Sequence, residues 1–206
     1  MLIVVGGQCR KIGKSSVIVG LIRALREGRW TAVKVTGHGQ ERSGGQAGYL
    51  IEEETSATPA DSGRYLAAGA SRSYCVRASG EELRQVVPAL LEIVRCSENA
   101  IVESTSIVQL LKPDLFLMIV DPTVPDWKDS ALEHLEKVDA FVVVERASSR
   151  EGAWTSPLGK PVFRVQPPSH TEPGLVALVR GRMVQKNDQR ASGSRSSKAR
   201  RSPPGE

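Results

Sequence analysis

The chain has 206 residues, 40% of them hydrophobic but only 4% aromatic, with a net charge of +5. That length suits one α/β domain with a sizeable core and not two, and no apolar run reaches the roughly 20 residues of a membrane span. Three scattered cysteines (Cys9, Cys75, Cys96) without a CxxC pair exclude a disulfide framework or a zinc cluster by spacing.

The apolar stretch 1–6 reads as a strand, and 14–27 as a helix with Val17, Leu21, Ala24 and Leu25 on one face. A strand follows at 30–36, then a Gly-rich polar loop at 37–58, and loops of that length are usually functional or disordered. Residues 61–69 read as helix and 71–78 as strand. A helix from Ser79 to about Cys96 is opened by a capping box with Glu82. Four further buried-type strands fall at 99–103, 115–121, 140–145 and 161–165, with helices at 127–137 and 172–184. Strand and helix alternating in this way predict a single-domain α/β fold with a mostly parallel, doubly wound sheet. Ligands then belong at the carboxyl ends of its strands.

The domain is expected to span 1–184. Residues 185–206 hold four of the five net positive charges and almost nothing apolar, so they read as a disordered basic tail. Such a tail solubilises more often than it binds nucleic acid, so no specific nucleic-acid partner is expected. The apolar opening lacks a charged n-region, so no signal peptide or membrane anchor is expected and the protein reads as reduced and cytoplasmic.

The segment "GGQCRKIGKSS" (6–16) joins the first strand to the first helix, where a phosphate cradle belongs. Gly6, Gly7 and Gly13 let the backbone approach an anion, and the loop N–H groups with the helix N-terminus face it. In a P-loop, Lys14 reaches the β- and γ-phosphates and the Ser15 hydroxyl ligates Mg²⁺. Gly7, Gln8, Cys9, Arg10, Lys11, Ile12, Gly13, Lys14, Ser15 and Ser16 are therefore the candidate nucleotide-binding set. The spacing departs from the common motif: five residues, not four, separate Gly7 from Gly13.

With that spacing, "GGQCRKIGKSSVIVGLIRAL" resembles the loop and first helix of dethiobiotin synthetases, whose glycines stand equally far apart. The segment "DSGRYLAAGASRSYCVRAS" (61–79) resembles the Asp-Ser-x-Arg-x-x-x-Ala-Gly-Ala segment of MobB, the molybdopterin-guanine dinucleotide biosynthesis protein B. "AVKVTGHG" resembles that family's second-strand region with Lys34 matching and His38 displaced, and "NAIVES" sits at its strand ending in Glu-Gly, with Ser104 in place of the Gly. These resemblances imply a P-loop NTPase fold, Mg²⁺ with GTP or ATP (GTP in the MobB case), and a homodimer. They also imply slow GTP hydrolysis at most, in molybdenum-cofactor biosynthesis beside a MobA-like or molybdoenzyme-maturation partner. An ATP-dependent ligase acting on a small amine, and a nucleotide-switched binding module, are the alternatives. No Asn-Lys-x-Asp motif for reading guanine occurs; Glu145 and Arg146 end the strand near which a base would stand.

Among other residues, Glu103 ends an apolar strand beside the loop, where a carboxylate holds the Mg²⁺ shell or orients a water. With Lys14 it forms the candidate catalytic pair. Asp61 is either a helix N-cap or a second magnesium-side carboxylate beside Ser15 and Glu103. Arg64 lies one turn on and pairs with it. Lys34 interrupts an apolar strand: it snorkels at a sheet edge or lines the nucleotide site, and both resemblances imply the latter. Asp121 before Pro122 fits turn chemistry. His38 is a candidate ligand or proton carrier, and Cys9 is expected to have its pKa lowered by the helix N-terminus.

Overall fold

The computed structural model describes residues 1–37, 48–78, 80–146 and 154–199, with side chains to residue 192. The strands are β1 (Leu2–Gly7), β2 (Trp30–Thr36), β3 (Leu50–Glu53), β4 (Arg72–Arg77), β5 (Asn99–Glu103), β6 (Leu115–Val120), β7 (Ala140–Val144) and β8 (Val162–Val165). The helices are α1 (Lys14–Ala24), α2 (Asp61–Ala68), α3 (Glu82–Gln85), α4 (Val87–Arg95), α5 (Asp129–Leu132) and α6 (Pro173–Ala199). The strands join in one sheet in the order β3-β4-β2-β5-β1-β6-β7-β8. All neighbours are parallel except β3 with β4.

Burial explains that order. Every residue of β1, β5, β6 and β7 is buried, as continuous apolar runs must be when helices cover both faces. On one face Ile3, Val5, Ala32, Ile101 and Leu117 pack against α1, Tyr65 of α2, and Leu175, Val179 and Met183 of α6. On the other, Val4, Val33, Val102, Phe116 and Phe141 pack against Leu83, Val86 and Leu90 of α3 and α4 and Ala131 of α5. The expected doubly wound α/β domain is the one observed.

Four expectations are corrected. The loop expected at 37–58 contains β3, a short antiparallel edge whose acids pair outward, Glu52 with Arg77 and Glu53 with Arg72. Charge on a short edge strand discourages further pairing. The helix expected at 79–96 divides at Val86, which caps both α3 and α4, with Pro88 in the first turn of the latter; Ser79, its expected cap, lies outside the described residues. The helix expected at 127–137 shrinks to α5 and a 3₁₀ turn at Leu135–Lys137. Finally, α6 does not stop at 184. Once its apolar turns are nucleated on the core, each added residue brings one more hydrogen bond, and Lys186 pairs with Asp114 at 2.7 Å while Arg190 donates to the Glu98 carbonyl at 3.1 Å. The helix expected at 172–184 thus runs on through Ala199.

Candidate functional site

At the carboxyl ends of β1, β2 and β5 lies a cleft of about 720 Å³. One wall is the loop from Arg10 to Ser16; the other carries Lys34, Asp61, Arg64 and Glu103. The loop turns into α1 at Gly13, whose φ of +100° is left-handed backbone that favours glycine. No side chain caps the helix there, so its first N–H groups remain directed to the cleft. Gly7 opens the loop, donating its N–H to Thr105 Oγ1 at 3.0 Å, just past β5. A methyl group on Gly7 would come within 2.8 Å of the Lys14 stem, so only glycine leaves that lysine its course.

Lys14 bends back across the loop and donates to the Cys9 carbonyl at 3.1 Å. Burial lowers its pKa, Glu103 opposes that, and Lys34 adds to it. Ser15, the next residue, donates to Glu103 Oε2 at 2.8 Å. Glu103 is 2% exposed and accepts twice more: from Tyr65 Oη at the same oxygen, and from Lys34 Nζ to Oε1 at 2.5 Å. Lys34 also meets Asp61 Oδ2 at 3.0 Å. Burial works to lower the Lys34 pKa, but Glu103 and Asp61 outweigh it and hold the amine above its ordinary value. Burial likewise works to raise Asp61, yet Lys34, Ser15 and Arg64 hold its carboxyl below the usual range. Arg64 pairs with Asp61 at 3.1 Å and donates to Ser16 Oγ at 3.2 Å. The Tyr65 hydroxyl, buried against a carboxylate, is pushed well above its ordinary pKa.

These contacts sort the expected residues. Lys14, Ser15, Ser16, Lys34, Asp61 and Glu103 converge on one cleft, with Arg10 to Gly13 along its rim. Lys34 is not snorkelling at an edge, since β2 lies between β4 and β5. Asp61 is not the N-cap of α2; Ala60 takes that position, and no side chain caps it. Gly7, Gln8 and Cys9 do not line the cleft. The Cys9 thiol is raised rather than lowered, because burial, helped by Asp121 and Asp126, exceeds the pull of Lys14 and Lys128. Asp121 makes the turn its sequence suggests, accepting from the Thr123 N–H at 3.0 Å, and binds Arg146 at 2.7 Å. Glu145 turns to Arg164. His38 lies outside the described residues. Tyr65 and Thr105 went unmarked in the sequence: a helical aromatic and a residue past a strand carry no local signal of what the sheet brings opposite them.

The oxygen donors Ser15, Glu103 and Asp61 suit a hard cation such as Mg²⁺, which takes one or two protein ligands beside phosphates and water. Among the described residues no cluster of three or more His, Cys, Asp or Glu forms an all-protein metal cage, and no helix is long and apolar enough to cross a membrane.

No protein-family model matches this chain, and no curated protein sequence matches it. Among solved structures it is similar to LpxK from Aquifex aeolicus in complex with ATP, with a TM-score of 0.54 and 21% identity over 79% of this chain and 53% of that one. It is also similar to HypB from Helicobacter pylori in complex with nickel, with a TM-score of 0.52 and 13% identity over 91% of this chain and 87% of that one. The chain thus spans about half the length of that LpxK. At such identities the likeness is one of fold: a mostly parallel α/β sheet in a single domain.

Proposed function

We propose that this chain binds a Mg²⁺–nucleoside triphosphate in the cleft above β1 and, at most slowly, hydrolyses it. The observation that carries this reading is the junction at Gly13–Ser15. An uncapped helix N-terminus, a half-buried lysine bent over the loop and a serine hydroxyl on a buried carboxylate meet at one sheet edge. Backbone N–H groups and the helix dipole supply an anion site there. Lys14 exchanges the Cys9 carbonyl for the β- and γ-phosphates, and Ser15 with Glu103 holds the metal shell, Asp61 standing behind them. Bound Mg²⁺ neutralises phosphate charge; Glu103, directly or through water, fixes its place.

The finer reading is a MobB-like GTP-binding protein of molybdenum-cofactor biosynthesis, cytoplasmic and homodimeric, serving a MobA-like partner. Its support is the segment at 61–70, whose Asp61 and Arg64 stand on the cleft wall. A ligase of the dethiobiotin synthetase kind is favoured by one feature, the five-residue loop spacing.

Calorimetric titration of the purified chain with ATP and GTP, with and without Mg²⁺, tests the common core and separates the bases. Lys14→Ala is expected to leave the fold intact and weaken triphosphate binding by about 1.5–3 kcal/mol for each charge-assisted hydrogen bond lost. Equal affinity in parent and mutant would remove the P-loop assignment.

A further inference from the structure

One face of α2 serves the cleft three times. Asp61, Arg64 and Tyr65 share that face and reach Lys34, Ser16 and Glu103 in turn. Asp61 and Arg64 line the cleft, whereas the Tyr65 side chain is 0% exposed in the core, so its hydroxyl serves the carboxylate and not a ligand. A glutamate's last torsion is broad and roughly two-fold, so the Glu103 carboxylate has no strongly preferred plane of its own. Its hydrogen bonds must set one, and each of its oxygens has two lone pairs to offer. On Oε2 both are taken, by the Ser15 hydroxyl at 2.8 Å and by Tyr65 Oη. On Oε1 Lys34 Nζ takes one at 2.5 Å, and among the described residues nothing takes the other. The three donors are not equal anchors. Lys34 divides itself between Glu103 and Asp61, and Ser15 belongs to the loop that receives the ligand. Tyr65 is the donor that core packing holds in place.

We propose that Tyr65 is a positioning residue for the cation: by holding Oε2 from the core it fixes the carboxylate plane and reserves the open site on Oε1 for the hydrated metal. The inference rests on the Mg²⁺–nucleotide reading above and adds to it the means of selecting the metal. Mg²⁺ demands near-ideal octahedral geometry, whereas Ca²⁺ accepts flexible arrangements of oxygen. A carboxylate clamped in one plane therefore favours Mg²⁺, and one free to swivel serves Ca²⁺ nearly as well.

The test is calorimetric titration with ATP and GTP, without metal, with Mg²⁺ and with Ca²⁺. It compares the full chain with Tyr65→Phe, Glu103→Gln and the double variant, thermal melts showing that each is folded. Tyr65→Phe keeps the ring in the core. It is expected to leave metal-free affinity within about twofold and to lower the Mg²⁺-dependent gain by about tenfold, with the Ca²⁺-dependent gain changing less than about threefold. In the Glu103→Gln background the same substitution is expected to add nothing, since Tyr65 acts through that carboxylate. An undiminished Mg²⁺ gain in Tyr65→Phe overturns the proposal. So do Mg²⁺ and Ca²⁺ gains that fall together, which mark a merely structural tyrosine, and an equal loss in the Glu103→Gln background. One measurement needs no variant: equal gains from Mg²⁺ and Ca²⁺ in the parent also overturn it. If the parent binds neither nucleotide, or gains nothing from Mg²⁺, the nucleotide reading falls and this inference with it; if Tyr65→Phe keeps the parent's magnesium gain, only this inference falls.

Discussion

At the scale of single residues, Glu103 concentrates the site. One buried carboxylate receives Ser15, Tyr65 and Lys34, so it orders the loop serine, the α2 tyrosine and the β2 lysine together. Glu103→Gln keeps the shape but removes the charge and turns one acceptor into a donor. Nucleotide affinity without Mg²⁺ is expected to hold or rise slightly, since the carboxylate also repels phosphate. The gain in affinity on adding Mg²⁺, and any hydrolysis, is expected to fall by about tenfold, one charged partner of the metal having gone. Titrations at several Mg²⁺ concentrations decide it; a mutant whose magnesium dependence matches the parent's places the metal elsewhere. The sequence marked Glu103, Lys34 and Ser15 because strand ends and loops advertise themselves by polarity against an apolar run. It did not mark Tyr65, which reaches Glu103 from α2, a contact between distant parts of the chain that no local pattern records.

At the scale of elements, α2 and α6 each rest on one specific contact. A methyl group added to Gly63 would overlap Thr58 Oγ1 and the Thr58 backbone nitrogen. Backbone cannot swing aside as a flexible side-chain tip can, so α2 must move off the segment before it. Gly63→Ala is expected to destabilise by about 3 kcal/mol, at the upper end for overpacking, lowering the melting temperature by roughly 6–12 °C for a chain of this size. Because α2 carries Asp61, Arg64 and Tyr65, nucleotide affinity falls with it; an unchanged melt would show that α2 is not held there. In α6 the end beyond Val184 leans on Lys186–Asp114, a partly exposed pair. Deleting 185–206 is expected to cost no more than about 1 kcal/mol, seen as a drop of about 2–4 °C. Nucleotide affinity stays as it was, since that contact lies at the opposite edge of the sheet from the cleft. Composition alone hid this helix: its polar residues have no core of their own, and the reason they continue lies in the turns before them.

At the scale of the whole molecule, the sheet was legible because the central strands β1, β5, β6 and β7, buried on both faces, must be written as apolar runs, and the gaps between those runs fix where the helices cross. β3 escaped because Leu50–Glu53 is short, half acidic and peripheral. The pairing of the central strands also sets a reading frame. Lys34 stands directly across from Glu103 between β2 and β5, and Val5 across from Glu103 between β1 and β5. Side chains alternate faces along a strand, so a slip of one position exchanges the two sides of β5. Losing a single residue within Asn99–Val102, none of which lines the cleft, would drive the Glu103 carboxylate in among Val4, Val33 and Phe116 on the opposite face of the sheet. Tyr65, Ser15 and Lys34 would then meet the neutral Ser104 hydroxyl where they now share an anion. Core and chemistry are thus spelled in the same frame, and an error of phase in one is an error of charge in the other.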